Sequence, residues 1–249
     1  VTIVEAPFNG KLVIMWLPQP IAGTSVVQQG FFDSFFAFVS HDSVNRNIFT
    51  GYGVSAGGYI ASGRDDCCQK FLKTDAEWLL FLDWDITYAP EDIYTLIDAA
   101  DPETRPIIAG TYVTFFGDGN VLRPCWTIKS DNNDYSPVDS FEVGAIVECS
   151  TVGMGFTLIH RSVLEALEIE YSDDPQSFFG HDIIGSSRVG EDLTFCSRAR
   201  KLGFTVWAHC GILLGHNKAK TLYPQDMANK AFAVSGGTFD DYMKEKLNT

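Results

Sequence analysis

The segment WLLFLDWDITYAP, residues 78–90, sets five bulky apolar residues ahead of two aspartates separated by one tryptophan. Five apolar residues without alternation predict a strand buried on both faces. Asp83 and Asp85 mark where that strand leaves the core. Pro90 then opens a helix at its favoured first position, with Glu91 and Asp92 in the first turn, where they complement the helix dipole. Ile93, Leu96, Ile97 and Ala100 follow at i, i+3, i+4 and i+7. A buried strand that passes through a short acidic connection into an amphipathic helix is one unit of a parallel, helix-covered sheet.

The same unit recurs on either side. Residues 12–17 form an uninterrupted apolar run stopped by PQP, which predicts another buried strand. TSVVQQGFFDSFFAFVSHD, 24–42, has apolar residues at 27, 31, 35 and 38 behind a Thr24/Ser25 cap, so a helix is expected. GYGVSAGGYI is strand-like though glycine-rich, and SGRDDCCQKFLKT pairs Cys67 with Phe71 and Cys68 with Leu72 at helical spacing. PIIAGTYV, 106–113, is a further strand. Ligands of such sheets bind beyond the carboxyl ends of the strands, which is where Asp83 and Asp85 are expected.

After residue 115 the chain mixes turn signals with short β runs, then gives EVGAIVEC and GMGFTLIH as strands and RSVLEALEIE as a helix. Residues 171–190 read as a polar loop. EDLTFCSRARKLG, 191–203, reads as a helix ended by Gly203, and FTVWAHC as the last strand. Residues 217–249 are a mostly polar tail with a candidate helix near the C-terminus. No repeat or linker interrupts the chain. One domain over 1–249 is expected, with an N-terminal α/β half (1–115), a more irregular half (116–216) and the tail (217–249).

Composition narrows the classes. The formal net charge is −14, which argues against a broad phosphate-contacting surface for nucleic acid. The cysteines at 67, 68, 125, 149, 196 and 210 form no CxxC pair and no metal-type spacing, so they read as small buried hydrophobes in a reducing cytosol. No apolar stretch reaches the roughly 18 residues that span a bilayer. KLVIMWLP is too short and wrongly flanked for a signal peptide. A soluble, cytoplasmic protein is expected.

Four features could carry chemistry. Side chains at i and i+2 of a strand share a face, so Asp83 and Asp85 could meet one ligand. Two carboxylates that close repel unless a proton or cation lies between them, and Mg2+ or Mn2+ suits such oxygen ligands. The plainer reading is a turn at a strand end. Glu191 and Asp192 fall in the first turn of their helix, either as dipole partners or with one of them as a general base. His216, with Lys218 and Lys220 just beyond, could serve a metal-bound diphosphate, or could be a structural histidine. Arg64 opposes the dipole at its helix start, which makes a functional contact more credible than for an ordinary surface charge.

In this order the segments resemble the GT-A glycosyltransferases, particularly soluble relatives of the inverting family that includes chitin and hyaluronan synthases. The resemblance runs from about Lys11 to His216. It rests on ASGRDDCCQKFLKTDAEWLLFLDWDITYAPEDIYTLIDA, IIAGTYV, TVGMGFTLIHRSVLEAL and GEDLTFCSRARKLGFTV with the later GH. It implies a GT-A-type, Rossmann-like α/β fold with a mixed, mainly parallel sheet and helices on both faces. It implies a nucleoside-diphosphate sugar as donor, a UDP-sugar ahead of a GDP-sugar, with Mn2+ or Mg2+.

By position, Asp83 and Asp85 resemble the DxD pair and His216 the C-terminal metal ligand. Arg64, Pro18 and Trp84 fall among the nucleotide-contacting positions, with the Trp84 ring itself expected to turn into packing. Gly153, Met154 and Gly155 are similar to the segment lining the donor-sugar and acceptor site. Lys218 or Lys220 would neutralise the leaving diphosphate. Asp192 matches the aspartate that deprotonates the acceptor in inverting members, with Glu191 beside it.

The departures are specific. LPQPIAGTS lacks the usual acidic or polar pattern after the first strand, so the base is unassigned. No QxxRW-type segment is present, which disfavours a processive polymer synthase. The tail after Lys220 matches nothing in that pattern. DWDIT also fits the DxDxT signature of haloacid-dehalogenase-like phosphatases, although those carry it on the first core strand. A sugar-nucleotide nucleotidyltransferase would have a basic, glycine-rich loop after the first strand, and a non-catalytic interaction protein is the bland alternative. The acceptor stays open among a glycan, a protein and a modified nucleobase. Trp126, Trp207 and Tyr112 could stack on a sugar or simply fill the core.

Overall fold

The computed structural model describes residues 11–17, 19–21, 24–26, 28–55, 59–116, 121–130, 133–184, 187–218, 221–222 and 233–234. Seven strands make the main sheet: β1 (Leu12–Trp16), β2 (Phe49–Val54), β3 (Trp78–Leu82), β4 (Ile107–Thr111), β5 (Ile146–Cys149), β6 (Phe156–His160) and β7 (Val206–Leu213). Their order is β5-β7-β4-β6-β3-β1-β2. β2, β1 and β3 are parallel, as are β4 and β7, whereas β6 runs antiparallel to both β3 and β4, and β5 antiparallel to β7.

Every residue of β1, β3 and β4 is buried. Successive side chains point to opposite faces, so both faces of the central strands are covered. The cover comes from α1 (Gln29–Val44) packed on α3 (Pro90–Ala99), and from α2 (Ile60–Leu72), α4 (Arg161–Glu170) and α5 (Glu191–Lys201), with α4 touching both α2 and α5. β2, at the edge, alternates between half-buried and exposed residues.

The antiparallel strand is what brings a third segment to the site. Phe156 at the start of β6 pairs with Leu82 at the end of β3, so the turn before β6 lies beside Asp83. The Asp83 N–H donates to the Gly155 carbonyl at 2.9 Å. Past β7, the short strand Gly215–Asn217 pairs with Ile86–Thr87, and the Asn217 N–H donates to the Asp85 carbonyl at 2.7 Å. Segments around residues 155 and 216 thus meet the turn beyond β3.

Several local expectations are corrected. β3 ends at Leu82, and Asp83 and Asp85 lie in a turn closed by the Ile86 N–H on the Asp83 carbonyl at 3.1 Å. The shared-face argument for a strand therefore does not apply to them. Thr24–Val26 is a strand paired with Gln19–Ile21, so α1 begins only at Gln29, without a side-chain cap. Residues 142–149 are two short strands broken around Gly144, whose φ of +91° favours glycine. The loop 171–190 buries Phe178 and Phe179 completely. The expected helix near the C-terminus lies outside the described residues.

All six cysteines are buried and unpaired, and burial pushes every one of their thiols above the ordinary range. Among the described residues, no helix is long and apolar enough to cross a membrane.

Candidate active site

Arg64 sits on α2, and its side chain is only 2% exposed. Its Nη2 donates to Asp83 Oδ1 at 3.1 Å and more weakly to Oδ2 at 3.4 Å. Its Nη1 donates to Glu191 Oε1 at 3.2 Å and makes a short contact with Asp192 Oδ1. One guanidinium thus holds three carboxylates. Burial opposes its charge, but Asp192, Asp83 and Glu191 outweigh that and raise its pKa further. The charge on Arg64 is permanent.

Glu191 and Asp192 open α5 behind Gly190, as the helix-start reading requires. Both turn to Arg64, and Asp192 Oδ2 accepts the Met154 N–H at 3.3 Å. Burial, Glu191 and Asp83 push the Asp192 carboxyl up against the pull of Arg64, to about 7. A carboxyl in that range can exchange a proton near neutral pH.

A second pole lies on the other side of the turn. Asp85 is 3% exposed, and its Oδ2 accepts from Lys218 Nζ at 2.6 Å. His216 Nε2 stands 3.5 Å from the same oxygen. His216 Nδ1 lies 2.7 Å from the Val113 carbonyl, which can only accept, so Nδ1 carries the proton. Nε2 is then the ring nitrogen that faces Asp85. Metal-binding histidines are oriented in this way, with the second ring nitrogen held by a backbone carbonyl. Burial raises the Asp85 pKa, but His216 and Lys218 outweigh it and the net shift is down.

Residues of both poles line one cavity of about 350 Å3: Asp83, Arg64, Glu191 and Asp192 from the first, and His216 and Lys218, but not Asp85, from the second. Thr114, Thr127, Thr151, Tyr112 and Tyr135 add hydroxyl-bearing side chains to its wall. Tyr112 is fixed in place: its hydroxyl accepts the Gly155 N–H at 3.2 Å and its ring meets His216 edge-on at 5.0 Å. A Cβ on Gly153 would lie 2.4 Å from that hydroxyl, and one on Gly155 2.9 Å from it. Glycine is needed at both positions because the tyrosine approaches the backbone so closely.

Gly153 lines this cavity; Met154 and Gly155 flank it through the bonds just described, with the Met154 side chain buried. Trp84 is half-buried, does not line the cavity, and its carbonyl accepts the Gln28 N–H at 3.3 Å. Pro18 and Lys220 lie outside the described residues. Trp126 is buried, with its Nε1–H on Thr111 Oγ1 at 3.2 Å, and Trp207 donates to Thr205 Oγ1 at 2.9 Å. Of the three candidate stacking aromatics, only Tyr112 reaches the cavity. Apart from Tyr112, this hydroxyl-bearing lining leaves no trace in the sequence, since isolated threonines in short β runs carry no signal of a site.

A197 from STIV shares the fold, with a TM-score of 0.57 over 86% of this chain and 91% of that one, at 18% identity. GalNAc-T7, solved with UDP, GalNAc and Mn2+, aligns with a TM-score of 0.48 at 11% identity, over 83% of this chain and 44% of its own length. No family model and no curated protein matches the chain. At these identities the likeness is one of fold. The fold class is the expected one in its architecture, an α/β domain around a mixed sheet with helices on both faces.

Proposed function

We propose that the chain is a metal-dependent glycosyltransferase that moves a sugar from a nucleoside-diphosphate sugar, a UDP-sugar before a GDP-sugar, to an acceptor hydroxyl with inversion. One observation carries the reading: a half-buried carboxylate with a raised pKa, Asp192, and a basic wall, His216 and Lys218, face one cavity. A transfer of this kind needs a base on one side of the anomeric carbon and positive charge on the other.

In this reading Asp192 Oδ2 takes the acceptor proton while the acceptor oxygen bonds to the anomeric carbon. The bond from that carbon to the diphosphate breaks, and its electron pair leaves with the nucleotide. Lys218 Nζ neutralises charge on the departing phosphate. Arg64 keeps Asp83, Glu191 and Asp192 in register. Asp85 Oδ2 and His216 Nε2, 3.5 Å apart, would be the protein ligands of a divalent cation, with the Lys218 ammonium giving up its place on that oxygen. Mg2+-type ions are commonly held by one or two protein ligands plus phosphate oxygens. Such an ion, when bound, supplies further charge to the diphosphate. Asp83, the third expected ligand, is engaged by Arg64. The N-terminal half would hold the nucleotide and residues 116–216 the acceptor, be it a glycan, a protein or a modified nucleobase.

The phosphatase alternative needs Asp83 as a free nucleophile on the first core strand. Here it follows the third sheet strand in chain order and is bonded to a buried arginine. The test is a thermal-shift and hydrolysis screen of UDP-, GDP-, CMP- and dTDP-sugars with and without Mn2+. One donor should raise the melting temperature only with the metal, and no response to any of them would end the reading.

A further inference from the structure

We infer that residues 171–182 form a brace setting the position of Arg64 relative to Asp192, with Asp65 and Arg198 as the positioning residues that fasten it. The inference rests on the proposed function for what Asp192 does, but the brace is a matter of geometry. α2 carries Arg64 and Asp65 side by side, and α5 carries Asp192 at its start and Arg198 further along. The segment between α4 and α5 is bonded to both helices.

On the α5 side, Arg198 is 3% exposed and spends its whole fork on this segment. Nη1 donates to the carbonyls of Gln176 at 2.6 Å and Ser177 at 3.0 Å. Nη2 donates to Asp174 Oδ2 and Asp182 Oδ1, each at 2.7 Å. The guanidinium also lies 4.4 Å from the centre of the Tyr171 ring. The Asp182 N–H donates to Thr194 Oγ1 at 3.1 Å, a second tie to the same helix.

On the α2 side, Asp65 accepts the Phe178 N–H at 2.9 Å on one oxygen and the Phe179 N–H at 3.2 Å on the other. Between these ties, Phe179 stacks on Phe195 of α5 with ring centres 4.8 Å apart and meets Phe81 of β3 edge-on at 5.6 Å. The Arg64 guanidinium lies 5.7 Å from the Phe179 ring centre. Phe179 is thus a floor beneath Arg64, and its backbone is pinned by the neighbour of Arg64.

Apolar contact alone would let α2 and α5 slide, because it has little directional preference. A planar five-donor fork and a two-oxygen acceptor fix direction as well as distance. Neither Asp65 nor Arg198 lines the cavity, so each acts through Arg64 and Asp192.

The test compares Asp65→Asn and Arg198→Lys with Asp42→Asn. Asp42 is a buried carboxylate on α1 that accepts the Tyr94 hydroxyl and the Phe49 N–H, each at 2.9 Å, outside the site. Asp65→Asn should lower kcat about 10- to 100-fold, the scale of a displacement near 1 Å, with the donor KM within about twofold. Arg198→Lys keeps the charge without the fork and should fall between Asp65→Asn and wild type. Asp42→Asn should lower the melting temperature and leave kcat unchanged. Hydrogen exchange, read without any substrate, should speed up across 176–194 in Asp65→Asn and not in Asp42→Asn. Equal kcat losses in Asp65→Asn and Asp42→Asn, or unchanged exchange at 191–194, would overturn the brace. An inactive wild-type protein would sink the proposed function instead, and the exchange result would still decide the inference.

Discussion

Around Arg64 one cation faces three carboxylates, whereas around Asp85 one carboxylate faces an ammonium and an imidazole. The two poles are built from aspartates only two residues apart. A turn, not a strand, separates them, so one serves the base side of the cavity and the other the basic wall. An Asp-x-Asp pair is therefore not automatically a two-carboxylate clamp. What each carboxylate does is decided by the partner that the fold brings to it.

The contrast can be broken most forcefully at Arg64. Arg64→Ala leaves three carboxylates around a buried vacancy and should cost about 3–5 kcal/mol, read by urea unfolding. Arg64→Lys should recover only part of this, since one ammonium cannot reproduce the fork.

Asp192→Asn should lower transfer about 10²- to 10⁴-fold while metal-dependent nucleotide binding persists. Stability should hold or rise, because one of three crowded negative charges is gone. The sign with pH follows from burial, which holds the Asp192 carboxyl up at about 7. Only the deprotonated form can accept a proton, so wild-type transfer should climb as pH rises through neutrality and then level off. The residual rate of Asp192→Asn should lack that step.

A smaller effect is expected between the poles. Gly153→Ala places a methyl group 2.4 Å from the Tyr112 hydroxyl, and relief by displacing the ring should cost about 1–3 kcal/mol in thermal unfolding. The smallest is at Lys218, whose side chain is 45% exposed. Lys218→Gln keeps a hydrogen-bond donor for the buried Asp85 oxygen, so it should lower stability less than Arg64→Ala does, yet weaken nucleoside diphosphate binding measured by calorimetry. A large stability loss there would erase the distinction between a framework pole and a ligand pole.

Much of this was legible in the sequence for definable reasons. β1 and β3 announce themselves because both parities of the strand are apolar, and α3 because its Pro90 start and apolar spacing agree. Strand direction leaves no such trace, so GMGFTLIH reads as a strand without revealing that it inserts antiparallel between β3 and β4. Arg64 shows the limit for the site. Its burial depends on Asp83, Glu191 and Asp192, which lie 19, 127 and 128 positions away, and local pattern says nothing about such partners. Residues 171–190 read as polar because their aspartates and serines dominate. The adjacent Phe178 and Phe179 were the available hint that this loop turns inward.

The cysteines have a practical consequence. Six thiols that are sheltered and held protonated should react slowly with maleimides and related reagents at neutral pH. A single cysteine introduced at an exposed position such as Ile169 would then dominate labelling without prior removal of the native ones. A fluorophore or spin label there would report on the start of the brace from outside the cavity, in otherwise unaltered protein.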